Sequence, residues 1–65
     1  MADVAQTDQR ARILDAALRL MAAGGVHAMS MRSLAGELGV NVATLYHYFP
    51  SKADLLQEVI AHQSY

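Results

Sequence analysis

The stretch from Leu34 to Lys52 restricts the folds open to this chain, because it places strong helix-ending signals between short helical segments. Gly39 follows one segment and permits the positive φ that a tight turn needs. Asn41 is a good N-cap for the next segment. Pro50 limits that segment, because the residue before a proline is pushed out of the α region. The stretch therefore predicts two short helices around a tight turn, followed by the start of another helix.

The first 25 residues predict a tail and one long helix. Residues 1–8 show no apolar periodicity and are expected to form a flexible tail. Thr7 or Asp8 is the expected N-cap of a helix that starts at residue 9. Gly24 and Gly25 end this helix, and one of them is expected to adopt the left-handed conformation.

The remaining helices are predicted from their capping residues. Ser30 is the expected N-cap of a second helix over Met31–Leu38, and the third helix is expected from Val42 to about Tyr48. Ser51 caps the fourth helix, with Asp54 at the capping-box position. The sequence therefore predicts an all-α fold, with three helices in residues 9–50 and a fourth helix in residues 51–65. The spacing of the second and third helices is that of a helix-turn-helix or of an ordinary helical hairpin.

Apolar residues recur at helical spacing in each predicted helix and define its buried face. The expected core consists of Ile13, Leu14, Ala17, Leu18, Leu20 and Met21 in the first helix, Leu34, Ala35 and Leu38 in the second, Leu45 and Phe49 around the third, Leu55, Leu56, Val59 and Ile60 in the fourth, and Val26, Met29 and Val40 in the connections.

The polar side of the first helix is expected to carry ion pairs. Asp8–Arg12 and Asp15–Arg19 are acid-to-base pairs at i,i+4, each contributing roughly 0.2–0.5 kcal/mol to helix stability. Arg10 lies outside these pairs, and its role is left open.

Composition excludes several classes of protein. A chain of 65 residues forms one small domain, and a hydrophobic share of 54% that is rich in Ala, Leu, Val and Met suits packed helices. Cysteine is absent, which excludes disulfides and cysteine-based metal sites. The polar N-terminal segment is not a signal peptide, and no apolar run is long enough to span a bilayer. These features predict a cytoplasmic protein.

The charge distribution matters more here than the net charge of −1, which by itself argues against a nucleic-acid-binding protein. No acidic residue lies between Leu38 and Ala53, and the field that an approaching phosphate meets is local. Arg32 and Lys52 lie in the first turns of the second and fourth helices, where a cation opposes the helix dipole at a cost of about 0.3–1 kcal/mol. Helix spacing alone does not distinguish a helix-turn-helix from an ordinary helical hairpin. The two cations favour a helix-turn-helix that binds the phosphates of DNA.

The run SMRSLAGELGVNVATLYHYFPSKADLL resembles the DNA-binding domain of the TetR family, the tetracycline-repressor-like bacterial transcription regulators. The resemblance extends over almost the whole chain, and the segment TLYHYFPSKADLL is its most specific part. It implies a three-helix helix-turn-helix (homeodomain-like) domain in residues 9–50 and the start of a connecting helix in residues 51–65. It also implies sequence-specific DNA binding, in a regulator that is commonly a repressor, with the third helix in the major groove. The expected DNA-binding residues are Ser30, Arg32, Asn41, Val42, Ala43, Thr44, Tyr46, His47, Tyr48 and Lys52.

The resemblance also implies individual roles. Thr44, Tyr46 and Tyr48 match positions that contact phosphates or base edges, and Lys52 matches a phosphate-binding lysine. Arg32 matches a position that reaches a base or the DNA backbone. Val42 and Ala43 match positions that vary with the operator, and their apolar side chains offer a thymine methyl contact but no bidentate hydrogen bonds. Asn41 replaces a commoner serine cap, and His47 stands where aromatic residues are common.

The family resemblance further implies partners that these residues do not encode. Members of the family usually form homodimers on palindromic double-stranded DNA operators, and they bind a small-molecule effector through a larger C-terminal regulatory domain. The last helix ends without a C-cap, which suggests that the native chain continues into such a domain. The operator sequence and the effector are not encoded in these residues.

Other functions are less consistent with these residues than DNA binding. A small helical module that docks on a protein partner through the helix at 51–65 is the main alternative. An enzyme is not expected, because no nucleophile, base and orienting group are spaced for catalysis. Neither a cofactor nor a metal is expected, since His27, His47 and His62 are widely separated and lack neighbouring ligands. His27 is expected to be solvated in a loop, and His62 and Tyr65 to be exposed unless a further domain covers them.

Overall fold

A computed structural model of the chain describes the backbone of residues 2–63 and the side chains of residues 8–62. Helix α1 comprises Ala2–Gly24 and is followed by a 3₁₀ turn at Val26–Ala28. Helices α2 (Met31–Leu38), α3 (Val42–Tyr48) and α4 (Lys52–Gln63) complete the fold, and the described residues contain no strand. The predicted all-α class is confirmed, as are the expected bounds of α2 and α3.

Helix α1 is the central element of the packing. It contacts the 3₁₀ turn, α2 and α4, whereas α3 is held chiefly by α2. All four helices, and the connection before α2, contribute buried side chains to one core. The largest fully buried side chains are Ile13 of α1, Met29 of the connection, Leu34 of α2, Leu45 of α3, Phe49 at its end, and Leu55 of α4.

Ten of the eighteen expected core residues are buried and six more are partly buried against them, but two are exposed. Val26 is 47% exposed and Ile60 is 66% exposed, so both predictions are wrong. In α4 the buried residues Leu55 and Val59 are four apart and share one face. Ile60 is rotated by about 100° from Val59 around the helix, because the α-helix has 3.6 residues per turn. Ala16, which the sequence analysis did not place in the core, is completely buried.

The start of α1 also differs from the prediction. The helix begins at Ala2, so Thr7 and Asp8 lie inside it and neither is its N-cap. No glycine or proline occurs between residues 2 and 23, and a helix that has nucleated extends by one hydrogen bond for each residue added. The predicted tail at residues 1–8 is therefore helical from Ala2, while Met1 lies outside the described residues.

Contacts between α1 and α4 replace the ion pairs predicted within α1. Among the side chains of residues 8–62, Arg10 Nη2 lies 3.0 Å from Glu58 Oε1, and His62 Nε2 lies 3.3 Å from Asp15 Oδ1. Neither Asp8–Arg12 nor Asp15–Arg19 forms an ion pair in this part of the chain. His27 is exposed as expected, and Tyr65 lies outside the described residues. No helix in the described part of the chain combines the length and the apolarity needed to cross a membrane.

Replacing Gly36 with alanine is expected to stabilise the domain. Gly36 lies within α2, is exposed, and has no atom within 4 Å of the position that a Cβ would take. Glycine in a helix interior is about 0.8–1.0 kcal/mol less favourable than alanine, so Gly36→Ala should raise the free energy of unfolding by about that amount. Urea unfolding followed by circular dichroism measures the change, and a lower unfolding midpoint would contradict the prediction.

Candidate nucleic-acid interface

The turn between α2 and α3 is a Schellman motif. Gly39 has φ 69° and ψ 32°, which is the left-handed conformation that the sequence predicted for it. The backbone N–H of Val40 donates to the carbonyl of Ala35 at 3.0 Å, and the N–H of Gly39 donates to the carbonyl of Gly36 at 3.3 Å. These two bonds satisfy the last carbonyls of α2. The turn therefore fixes the direction in which the chain enters α3.

Helix α3 begins at an asparagine cap and is anchored from one side. Asn41 Oδ1 accepts a hydrogen bond from the backbone N–H of Ala43 at 2.8 Å, as the sequence predicted. Leu45 and Phe49, four residues apart, are both buried and hold the helix on the core. The opposite side of this helix faces solvent.

The exposed side of α3 carries three of the six residues of this helix that are predicted to contact DNA. Ala43, Tyr46 and His47 are exposed, and Tyr46 is 48% exposed. Tyr48 is half-buried, and its ring lies edge-on to that of His47, with 5.4 Å between the ring centroids. Thr44 is half-buried as well. Val42 was expected on the outward face, but it packs partly against the core, because it lies three residues before Leu45 on the inward side.

The start of α2 is held by a reciprocal capping box. Ser30 Oγ accepts from the backbone N–H of Ser33 at 3.0 Å, and Ser33 Oγ accepts from the N–H of Ser30 at 2.9 Å. The sequence analysis identified Ser30 but missed Ser33, whose only signal was its position three residues after the cap. Arg32 is exposed between them and forms no ion pair or hydrogen bond with any residue in the described part of the chain. Its guanidinium is therefore available to an external anion.

Lys52 is the first residue of α4 and has a partner that the sequence analysis missed. Its Nζ donates a hydrogen bond to the backbone carbonyl of Val26 at 3.0 Å, which joins the start of α4 to the 3₁₀ turn. No sequence signal marks a backbone carbonyl as an acceptor. An ammonium group has three donors, so two remain available to a phosphate. The Val26 carbonyl thus restricts the position of the ammonium without using up its donors.

The cap before α4 was predicted correctly. Ser51 Oγ accepts from the backbone N–H of Asp54 at 3.1 Å and donates to Asp54 Oδ2 at 2.9 Å. Asp54 lies in the first turn of α4, where a negative charge interacts favourably with the helix dipole. It therefore offsets the unfavourable interaction of the Lys52 ammonium with the same dipole. Three capped helix starts (α2, α3 and α4) therefore lie within 23 residues of chain, from Ser30 to Lys52.

The described residues contain no group of three His, Cys, Asp or Glu side chains placed to hold a metal ion. The predicted site residues on α2, α3 and α4 include two cations and no carboxylate. In the chain, the two cations precede and follow a short helix of polar and aromatic side chains.

Comparisons with known proteins identify the family. Residues 13–59 match the family described as bacterial regulatory proteins, tetR family. The HTH-type transcriptional repressor KstR of Rhodococcus jostii is 49% identical over 59 residues, which cover 91% of this chain and 28% of the relative. KstR of Mycobacterium tuberculosis is 44% identical over 59 residues, covering 91% of this chain and 27% of the relative. The HTH-type transcriptional regulator UidR of Escherichia coli is 38% identical over 63 residues, covering 92% of this chain and 32% of the relative.

The chain spans less than a third of the length of each of these relatives. No solved structure matches it. The matched region includes the C-terminal half of α1, all of α2 and α3, and α4 as far as Val59. The predicted family is thereby confirmed, and the chain belongs to the tetR family of bacterial regulatory proteins.

Proposed function

We propose that this chain is the DNA-binding domain of a transcriptional repressor, with α3 in the major groove of double-stranded DNA. The observation that carries the proposal is the position of Arg32 and Lys52, at the starts of the two helices that flank α3 in the chain. Arg32 has no partner among the described residues, and Lys52 keeps two free donors. The relatives are HTH-type transcriptional repressors and regulators, which agrees with this function.

The two cations supply affinity, and α3 supplies sequence preference. Arg32 and Lys52 are proposed to bind phosphates, which position a protein on DNA without reading its sequence. Ser30 and Asn41 are the N-caps of α2 and α3, and they fix the starts of the two helices that carry proposed DNA contacts. The hydroxyl groups of Thr44, Tyr46 and Tyr48 and the imidazole of His47 are the groups with hydrogen-bonding capacity on α3. Ala43 is exposed and offers only an apolar contact to a thymine methyl.

The partners expected for the whole protein extend this proposal. We propose that it forms a homodimer on a palindromic operator and binds its small-molecule effector through a region outside these residues, in the cytoplasm of a bacterium. Linking two DNA-binding domains raises the effective concentration of the second at its half-site, so one domain alone binds much more weakly than a dimer. The competing idea, docking on a protein through α4, gains no support from the named relatives, which are transcriptional regulators.

Replacing Lys52 with alanine tests the phosphate contact. The affinity for a 20-base-pair duplex of random sequence would be measured over a range of salt concentrations. A lost phosphate contact should reduce the slope of log K against log salt by about 0.9. Arg19→Ala is the matched control, because this substitution also removes one positive charge. Arg19 is exposed and forms no ion pair among residues 8–62. The phosphate contact is refuted if Lys52→Ala retains the slope of the unsubstituted chain while circular dichroism shows that it is folded.

A further inference from the structure

Arg10, whose role the sequence left open, contacts two other parts of the fold. Its Nη2 lies 3.0 Å from Glu58 Oε1 of α4, and its Cζ lies 4.9 Å from the centroid of the Phe49 ring. Phe49 caps the C-terminal end of α3 and is 1% exposed. One side chain of α1 thus contacts both the end of α3 and the middle of α4.

This contact bears on the orientation of α3. Helix α3 has seven residues and packs chiefly on α2. Its C-terminal end is held by Phe49, whose N–H donates to the carbonyl of Leu45 at 2.8 Å. The guanidinium of Arg10 lies over the ring of Phe49 and so links this end of α3 to α1. A rotation of α3 that moved the Phe49 ring would disrupt this contact.

A guanidinium suits this position better than an ammonium would. It is planar and delocalised, so it can stack on an aromatic ring while its edge pairs with a carboxylate. The side chains of Arg10 and Glu58 are 42% and 44% exposed, and exposed ion pairs of this kind add little to stability. The ion pair therefore serves better to orient the guanidinium over Phe49 than to stabilise the domain.

Arg10 also lines an open groove between α1 and the junction of α3 with α4, together with Tyr48, Phe49, Pro50 and Glu58. Tyr48 belongs both to this groove and to the set of residues predicted to contact DNA. The groove therefore connects the position of Arg10 with a residue of the proposed interface.

We propose that Arg10 is a positioning residue for α3: it fixes the orientation in which the side chains of α3 meet base edges, without contacting DNA itself. This inference rests on the proposed DNA binding. It predicts a loss of discrimination between DNA sequences with no loss of a phosphate contact. A cation that bound phosphate would show the opposite behaviour, a weaker salt dependence and equal losses on all sequences.

The test compares Arg10→Ala with Arg12→Ala. Arg12 lies on the same helix, is exposed, and has no ion pair among the described side chains. Its replacement removes one positive charge but leaves the contacts of Arg10 with Phe49 and Glu58 in place. The affinity of the 65-residue chain would be measured for a duplex that it selects from a random-sequence pool and for a random duplex of equal length. Arg10→Ala should lower the ratio of the two affinities about twofold to fivefold, the equivalent of one exposed cation–π contact. It should leave the salt slope unchanged, and Arg12→Ala should preserve the ratio.

Two further measurements separate positioning from loss of folding. Arg10→Lys keeps the charge but not the planar stack, and it should recover only part of the affinity ratio. In the free Arg10→Ala chain, the amide resonances of α3 should shift, including those of Tyr46 and His47, which do not contact Arg10. Shifts confined to α1 and α4 would overturn the proposal, as would a reduced salt slope or an equal effect of Arg12→Ala.

If the unsubstituted chain binds neither duplex, the proposed function itself fails. If it binds and Arg10→Ala keeps the ratio, only the positioning role fails.

Discussion

Replacing Phe49 with alanine is expected to lower the free energy of unfolding by about 3–5 kcal/mol. Phe49 is 1% exposed and is among the largest fully buried side chains. Truncation of a buried phenylalanine to alanine costs about 3–5 kcal/mol. A domain of 65 residues has a free energy of unfolding of only about 3–10 kcal/mol, from 0.05–0.15 kcal/mol per residue. The substitution therefore removes from about a third to all of the stability expected for a chain of this length.

The position of Phe49 makes the loss difficult to repair. The ring lies where the end of α3 meets α1, and the Arg10 guanidinium is placed over it. Removing the ring leaves a cavity in the core and also takes away the surface on which the guanidinium stacks. A neighbouring side chain cannot refill the space easily, because cores relax only partially around a truncation.

The measurement is urea unfolding of Phe49→Ala beside Tyr46→Ala. Tyr46 is an aromatic residue of the same helix but is 48% exposed, so its truncation should change the free energy of unfolding by less than about 1 kcal/mol. Phe49→Leu retains part of the apolar volume and should fall between the two variants. Equal unfolding midpoints for Phe49→Ala and Tyr46→Ala would show that the Phe49 ring is not part of the stabilising core.

The residues from Ser30 to Ser51 show what local sequence determines. The bounds of α2 and α3 were predicted from capping side chains and the turn from Gly39, and each of these signals acts on backbone groups within a few residues. Such contacts determine whether a given residue adopts a helical or a turn conformation. For that reason this part of the chain was predicted almost residue by residue.

Contacts between distant parts of the chain were not predictable in this way. Asp15 has a suitable partner four residues away in Arg19, yet it lies beside His62 of α4. Similarly, Lys52 donates to the carbonyl of Val26, 26 residues earlier in the chain. These contacts depend on how α1, the 3₁₀ turn and α4 pack together, and a sequence pattern carries no information on that arrangement. The residues assigned to DNA binding came from helix position, charge and family resemblance, and their individual roles stay predictions.

The second large effect is expected at Gly25, which joins α1 to the 3₁₀ turn. Gly25 has φ 86° and ψ 169°, whereas the sequence analysis expected a left-handed helical residue at Gly24 or Gly25. The observed conformation is essentially restricted to glycine, and other residues held in such regions cost about 1–3 kcal/mol. No atom lies within 4 Å of the position of an added Cβ, so the cost of Gly25→Ala comes from the backbone alone.

Gly39 provides the comparison that isolates this cause. It also has a positive φ, of 69°, but with ψ 32° it lies in the left-handed helical region, which asparagine adopts with little cost. Gly39→Asn should therefore lower the free energy of unfolding by less than Gly25→Asn, although both sites have open space around them. Gly36→Ala, at a glycine with ordinary helical geometry, should change stability in the opposite direction.

Loss of the Gly25 conformation should also affect Lys52. Gly25 directly precedes Val26, whose carbonyl accepts the hydrogen bond from Lys52 Nζ, so a changed backbone at Gly25 displaces this acceptor. If the bond contributes to stability, the effects of Gly25→Ala and Lys52→Ala will be less than additive in the double variant, because either substitution alone removes it. Urea unfolding of the two single variants and the double variant measures this coupling. Strict additivity would contradict this coupling: either Gly25→Ala leaves the bond to the Val26 carbonyl intact, or the bond contributes nothing to the stability of the domain.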